Sequence, residues 1–259
     1  MFTSCDPPSV HVRRAEGSSP YVLVCEHAGN RIPQGMGNLG LEGHDLTRHI
    51  AWDIGAAAVA ERISEQLDAT LISQPYSRLV IDCNRRTDDP ELIPEESDGT
   101  LIPGNRGLSP SEKKRREDTI HVPFHDCITA ELDCKERAGK LKALLTIHSF
   151  TPEIMGVKRP WHVGVIYNQG GHLAQSLLDL LGLEEGLTVG DNKPFRMTGE
   201  NVHTIPFHGE GRGIAAVEIE IRQDLIADPS GQLQWASLLG KVLGQALEGL
   251  SLNAVEGPF

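Results

Sequence analysis

Apolar residues fall into short continuous runs along this chain, separated by polar stretches that carry Gly and Pro. The runs from Tyr21 to Cys25, Ala69 to Ser73, Arg78 to Cys83, Lys142 to Ile147, Val163 to Tyr167 and Ala215 to Ile221 read as strands. Continuous apolar runs of this length mark strands buried on both faces, as in parallel sheets. Helical spacing covers about His44 to Leu67, with Ile50, Ile54, Ala58 and Ile63 near one stripe. It recurs from His172 to Leu183 and from Leu233 to Leu250. Ser109-Pro110-Ser111-Glu112 carries helix-start chemistry, with an N-cap, Pro at the first position and Glu at the third. That helix is expected to run to Ala138 with a bend at Pro123. Strands alternating with helices predict a single α/β domain with a central mixed, largely parallel β-sheet flanked by helices.

Between these elements lie loops. Residues 1–19, rich in Ser, Pro and Gly, read as a flexible leader before a domain spanning 20–259. Arg31 to Gly43 and Gly190 to Gly213 are polar connections. Thr87 to Ser109 is dense in Pro, Gly, Asp and Glu. A loop that long inside a compact domain is usually functional or disordered, so 87–109 is expected to form a lid or pocket wall.

The chemistry sits where the runs stop. Open α/β sheets bind ligands in the crevice beyond the carboxyl ends of their strands. The first run delivers Glu26-His27-Ala28-Gly29-Asn30, the third Asp82-Cys83-Asn84-Arg85 and the fourth His148-Ser149. Two strand-end histidines, His27 and His148, suit a zinc site, which needs three protein ligands and an open position if it is catalytic. Alone, each would read as a hydrogen-bonded strand cap. The third ligand is open. His49 and Asp53 are four apart on the predicted helix and share a face, so they form either a ligand with its supporting partner or a surface ion pair. Strand alternation turns Glu26 away from His27.

Arg78, Asp82, Asn84 and Arg85 form an anion-recognition group, because a guanidinium fork binds a carboxylate bidentately. Val217 to Arg222 alternates strictly, placing Glu218, Glu220 and Arg222 on one side. That side is either solvated or holds a carboxylate able to take a proton from water. Gly209-Glu210-Gly211-Arg212-Gly213 matches neither a Walker loop nor a dinucleotide fingerprint.

Composition narrows the picture. The chain has 259 residues with 39% hydrophobic and 23% charged positions and a formal charge of −12, which argues against a nucleic-acid partner. Lys113-Lys114-Arg115-Arg116 is the single basic run and reads as a solvated helix face. No stretch is apolar enough to span a bilayer and no signal peptide is evident. Five cysteines without a CxxC pair argue against a disulfide framework. A cytoplasmic protein acting on a small acidic molecule, with oligomerisation open, is the expectation.

As an ordered set these residues resemble the N-formylglutamate amidohydrolase family. Cys25 to Asn30 with Ile32-Pro33, His49 to Asp53, Ser77 to Arg85, Ile147 to Phe150 and Glu218 to Leu225 are similar to its blocks. The resemblance covers roughly residues 20 to 228. It implies a fold of the zinc carboxypeptidase and aspartoacylase kind (phosphorylase/hydrolase-like) and a zinc-dependent amidohydrolase acting on an N-acyl amino acid. By that resemblance His27, His148 and one of Asp53, His49 or Glu26 would hold the metal, and Glu220 would activate water. Arg78 would serve the developing oxyanion, and Asn84 and Arg85 the substrate carboxylate, with Arg222 beside them. Asn30 departs from the glutamate ligand of the carboxypeptidases. The segments 87–109 and Gly190 to Phe195 look like a divergent branch, so removal of a small acyl group is better supported than formylglutamate itself. A non-catalytic binder of an acidic metabolite is the rival reading; it would need the arginines but neither histidine nor Glu220.

Overall fold

Buried apolar strands must pair their backbone groups internally, and here they do so in one sheet. The computed structural model describes residues 2–3, 5–169 and 171–253. Strands β1 (His11–Arg13), β2 (Tyr21–Cys25), β3 (Thr70–Ser73), β4 (Ala143–Phe150), β5 (Val163–Ile166), β6 (Val189–Asp191) and β7 (Ala215–Arg222) lie in the order β1-β3-β2-β4-β7-β5-β6. Strands β3, β2, β4 and β7 are mutually parallel, as are β5 and β6. The β1–β3 and β7–β5 pairs are antiparallel. The sheet is therefore mixed and largely parallel, as the patterning predicts.

Successive residues of each strand face opposite layers. Leu23, Leu145 and Ile219 pack with Val59 and Ile63 of α1 (Ala56–Leu67), Leu177 and Leu181 of α4 (His172–Gly182) and Leu239 and Leu243 of α5 (Pro229–Asn253). Val22, Val24 and Leu144 pack on the other side with Phe124, Ile128 and Leu132 of α3 (Val122–Arg137). Helix α2 (Pro110–Arg116) opens with a complete capping box between Ser109 and Glu112, worth about 1 kcal/mol.

Four expectations are corrected. The helix predicted over 44–67 begins only at Ala56. Gly55 adopts φ +80°, and a Cβ there would meet the Ile226 carbonyl oxygen at 2.1 Å. The preceding residues spend their backbone bonds on other loops: Asp53 N–H donates to His27 O and Arg78 N–H to Ala51 O. Arg78 to Cys83 is a buried turn rather than a strand. Leu79, Val80 and Ile81 are fully buried, but the Leu79 and Val80 carbonyls accept from Asn105 Nδ2 and Arg116 Nη1 instead of from a neighbouring strand. Arg116 is thus buried at 3% exposure while Lys113, Lys114 and Arg115 are exposed, so the basic run is only partly a solvated face. The long helix from Ser109 is interrupted by a π-helical turn at Glu117–His121, just before Pro123, whose missing N–H cannot continue a regular ladder.

The N-terminal segment lies along the sheet. Tyr76 donates to Pro7 O, and β1 pairs with β3; residues 1 and 4 of that segment, like the domain's expected end at 254–259, lie outside the described residues. Segment 87–109 holds a hairpin, Glu96–Ser97 with Thr100–Leu101, and buries Leu92, Ile93 and Ile102. A second hairpin, Glu153–Ile154 with Val157–Lys158, follows β4. Among the described residues no helix is long and apolar enough to cross a membrane.

Candidate active site

The carboxyl ends of β2, β4 and β7 bring the sequence-predicted groups together. Strand β2 stops at Cys25, so Glu26 and His27 follow in a turn and escape strand alternation. The expectation that Glu26 points away is overturned: Glu26 Oε2 lies 3.0 Å from His148 Nε2. His148 lies inside β4, which continues to Phe150. Its register partner on β7 is Glu220, and Glu218 pairs with Thr146.

His27, Asp53 and His148 present ligand atoms that all lie within 4.8 Å of one another. Asp53 Oδ2 is 2.7 Å from His148 Nδ1 and 3.4 Å from His27 Nδ1, and it also accepts from Ser149 N–H. His27 Nε2 contacts Asp82 Oδ1 at 2.7 Å, and Arg78 donates to Asp82 Oδ2 at 2.7 Å. A carboxylate on the far nitrogen of each imidazole, Asp82 for His27 and Glu26 for His148, is the arrangement that orients histidine ligands. The chain also leaves Glu220 Oε2 buried without a hydrogen-bond partner among the described residues. Two imidazoles and a carboxylate converging in this way can hold a divalent cation. His49 does not join them. It lies 3.5 Å from Asp98 in the 87–109 segment, because the helix expected to align it with Asp53 does not form.

A cavity of about 390 Å³ opens on this cluster, lined by His27, Asp53, His148, Glu218, Glu220 and Asn84 together with Arg78, Arg85 and Arg159. Asn84 Nδ2 donates to Glu218 Oε2, and its Oδ1 accepts from the backbone N–H groups of His203 and Thr204. Arg85 donates to the Asn201 carbonyl. Arg222 is not part of the lining. Its guanidinium turns to Asp224 at 2.8 Å, since β7 ends at that residue and a nearby carboxylate captures it. Arg159 is the cationic lining group that patterning missed. It lies one residue beyond the hairpin after β4, in a segment without periodicity, and nothing in the sequence marked it.

Burial dominates the electrostatics. It raises the Glu220 carboxyl well above the ordinary carboxylate value, and the Glu218 and Asp53 carboxylates reinforce this against the opposing His148. Glu218 is likewise raised by burial. Burial opposes charge on His148, yet Glu218 and Glu26 outweigh it and hold the imidazole well above its usual value. Burial and Arg78 work against charge on His27, where Asp82 and Asp53 prevail and the shift is upward. Asp82 is pushed up by burial but held well below the carboxylate range by Arg78 and His27. The cluster therefore pairs a carboxyl of raised proton affinity with two imidazoles whose charge depends on what else occupies the cavity.

Known proteins show the same frame. The gene product Atu2144 of Agrobacterium tumefaciens superposes with a TM-score of 0.93 at 38% identity, covering 96% of this chain and 99% of that one. N-formylglutamate amidohydrolase from Ralstonia eutropha JMP134 shares the fold with a TM-score of 0.75 at 20% identity, over 95% and 98% of the two chains. An N-formylglutamate deformylase of Pseudomonas putida is 31% identical over 160 residues. That match spans 56% of this chain and 58% of the relative, less than two thirds of either. Residues 19–227 match the family described as N-formylglutamate amidohydrolase. The chain belongs to the N-formylglutamate amidohydrolase family.

Proposed function

We propose that this protein is a metal-dependent amidohydrolase that removes a small acyl group from an N-acyl amino acid, with N-formylglutamate as the leading substrate. The observation that carries this reading is the convergence of His27, Asp53 and His148 with Glu220 and three arginines in one cavity. A zinc-class ion held by those three residues would supply Lewis acidity toward the amide carbonyl. Glu220, with a buried oxygen free of hydrogen bonds, takes the proton of the attacking water and delivers it to the amine nitrogen as the C–N bond breaks. For N-formylglutamate the products are formate and glutamate. Arg78, held by Asp82, is aimed at the oxygen that gains charge in the transition state.

Two carboxylates on the substrate call for two further cations. Arg85 with Asn84 takes the α-carboxylate, and Arg159, from the segment after the second hairpin, takes the side-chain carboxylate. The lid or pocket wall expected at 87–109 is part of the same proposal, with Asp98 and Ser97 bordering a cavity shared with Arg78 and Asp82. So is a cytoplasmic setting, in keeping with five free thiols.

The test is hydrolysis of N-formyl-L-glutamate by protein stripped with chelator and then reloaded with Zn²⁺, measured as formate release. Activity that disappears on stripping and returns on reloading supports the proposal. Substrate binding without turnover under any metal would leave the non-catalytic binder as the better reading.

A further inference from the structure

Four histidines outside the catalytic cavity gather behind the turn that carries Asn84 and Arg85. His121 ends the π-helical turn and His125 lies one helical turn later on α3, so both project from the same face. His203 and His208 come from the segment before β7, the latter within a second π-helical turn at Ile205–Gly209. Ring centroids lie 4.4 Å apart for His121 and His125, 4.7 Å for His125 and His203, and 5.1 Å for His125 and His208. Ring nitrogens of His121, His125 and His203 all fall within 4.8 Å of one another.

The hydrogen bonds assign the protons. A backbone carbonyl can only accept, so His121 Nε2–H donates to Arg85 O and His125 Nε2–H donates to Cys83 O, each at 2.9 Å. Each neutral ring then keeps a lone pair on Nδ1. His125 Nδ1 lies 2.8 Å from His208 Nε2, which must be the donor, and this leaves His208 Nδ1 as a buried lone pair without a partner. Fixing one ring nitrogen on a backbone carbonyl while the other faces inward is how ligand histidines are oriented. His121 and His125 each spend their ring N–H on a backbone carbonyl, so the cluster offers lone pairs rather than donors. That favours a cation over an anion as its ligand.

We propose that His121, His125 and His203 form a second metal site, distinct from the catalytic cavity, that takes a borderline divalent cation of the zinc class. An all-imidazole donor set matches that class. The half-buried His203 also lines a surface cavity of about 500 Å³ with Arg86, Asp88 and Phe207, which supplies an entry path. The ion competes with the His208 N–H for His125 Nδ1, so His208 is a neighbour of the site and not a required ligand. A bound ion would tie α3 to the 203–208 segment and, through the Cys83 and Arg85 carbonyls, brace the turn beneath Asn84.

Stoichiometry of Zn²⁺ uptake by the chelator-stripped full chain, measured by calorimetry with a thermal-shift check of folding, tests this. His203→Gln should lower uptake by one equivalent relative to the parent, in the wild-type chain and equally in a His27→Ala/His148→Ala background that lacks the first donor set. His208→Phe should keep that equivalent. Because the comparison is a difference of one, it holds whether or not the catalytic cavity itself binds metal. Unchanged uptake in folded His203→Gln and His121→Gln proteins would overturn the site, as would a His27→Ala/His148→Ala protein that folds and takes up no Zn²⁺.

Discussion

Glu218 and Glu220 sit two residues apart on one face of β7, and their hydrogen bonds distinguish them. Glu218 accepts from Asn84, whereas Glu220 Oε2 is buried and unpartnered. Glu220→Gln keeps shape and polarity but removes the proposed base, so turnover should fall by roughly 10²–10⁴-fold with Zn²⁺ content unchanged. Near-normal turnover would shift the role to Glu218. The arginines separate by kinetic parameter. A carboxylate is charged throughout the reaction, so Arg85→Lys, which keeps charge but loses the fork, should raise KM by roughly 10-fold or more while kcat changes little. Arg159→Lys should do the same for N-formylglutamate and spare N-formylalanine, which lacks the second carboxylate. Steady-state kinetics on the two substrates decide it; equal losses on both would remove Arg159 from side-chain recognition.

At the scale of elements, the turn from Arg78 to Cys83 is the part whose stability is least conventional. It buries an apolar run without strand pairing, and Arg116 closes the gap by donating to Val80 O, Gly104 O and Asn105 Oδ1. Burial lowers this guanidinium to about 10, still charged at neutral pH. Arg116→Met preserves length and packing but leaves buried carbonyls without donors, each costing about 1–3 kcal/mol. The denaturant midpoint should drop accordingly, whereas Arg115→Met on the exposed side of α2 should leave it within about 0.5 kcal/mol of the parent. Equal effects of the two substitutions would contradict this account of the turn.

For the whole molecule, the proposed metal site in the cavity would tie metal uptake to protons and stability. Asp82 and Asp53 raise the pKa of His27 against burial and Arg78, and Glu218 and Glu26 raise that of His148 against burial. Above the ordinary histidine value of about 6.5, the unfolded chain has released these protons while the folded one retains them, so unfolding free energy falls with rising pH. Their contribution is complete below that value and is lost as pH climbs through the raised ones. The same loss of protons frees the ligand lone pairs, so Zn²⁺ should stabilise more strongly at higher pH. Thermal melts at pH 6 and pH 8, with chelator and with Zn²⁺, should show the metal-induced gain in Tm growing with pH. A gain that shrinks would mean that these histidines are not the ligands.

Five of the seven sheet strands, the mixed parallel sheet and the cluster of His27, His148, Asn84, Arg85 and Glu220 at one sheet end were legible in the sequence, because uninterrupted apolar runs and the polar residues that end them are local patterns; the short edge strands β1 and β6 carry no such run. The turn at Arg78 to Cys83 was not, since its burial depends on Asn105 and Arg116, distant residues that satisfy its carbonyls. The late start of α1 was hidden for a similar reason: Gly55 must pass close to the Ile226 carbonyl, which lies far along the chain. Position along a strand suggested Arg222, but an adjacent Asp224 took its charge, while Arg159 entered the cavity from a segment without pattern. The histidine quartet was equally invisible, because His121 and His125 meet His203 and His208 only when α3 packs beside the approach to β7. Local periodicity determines which faces are buried; which polar groups then meet inside is decided by packing between segments far apart in the chain.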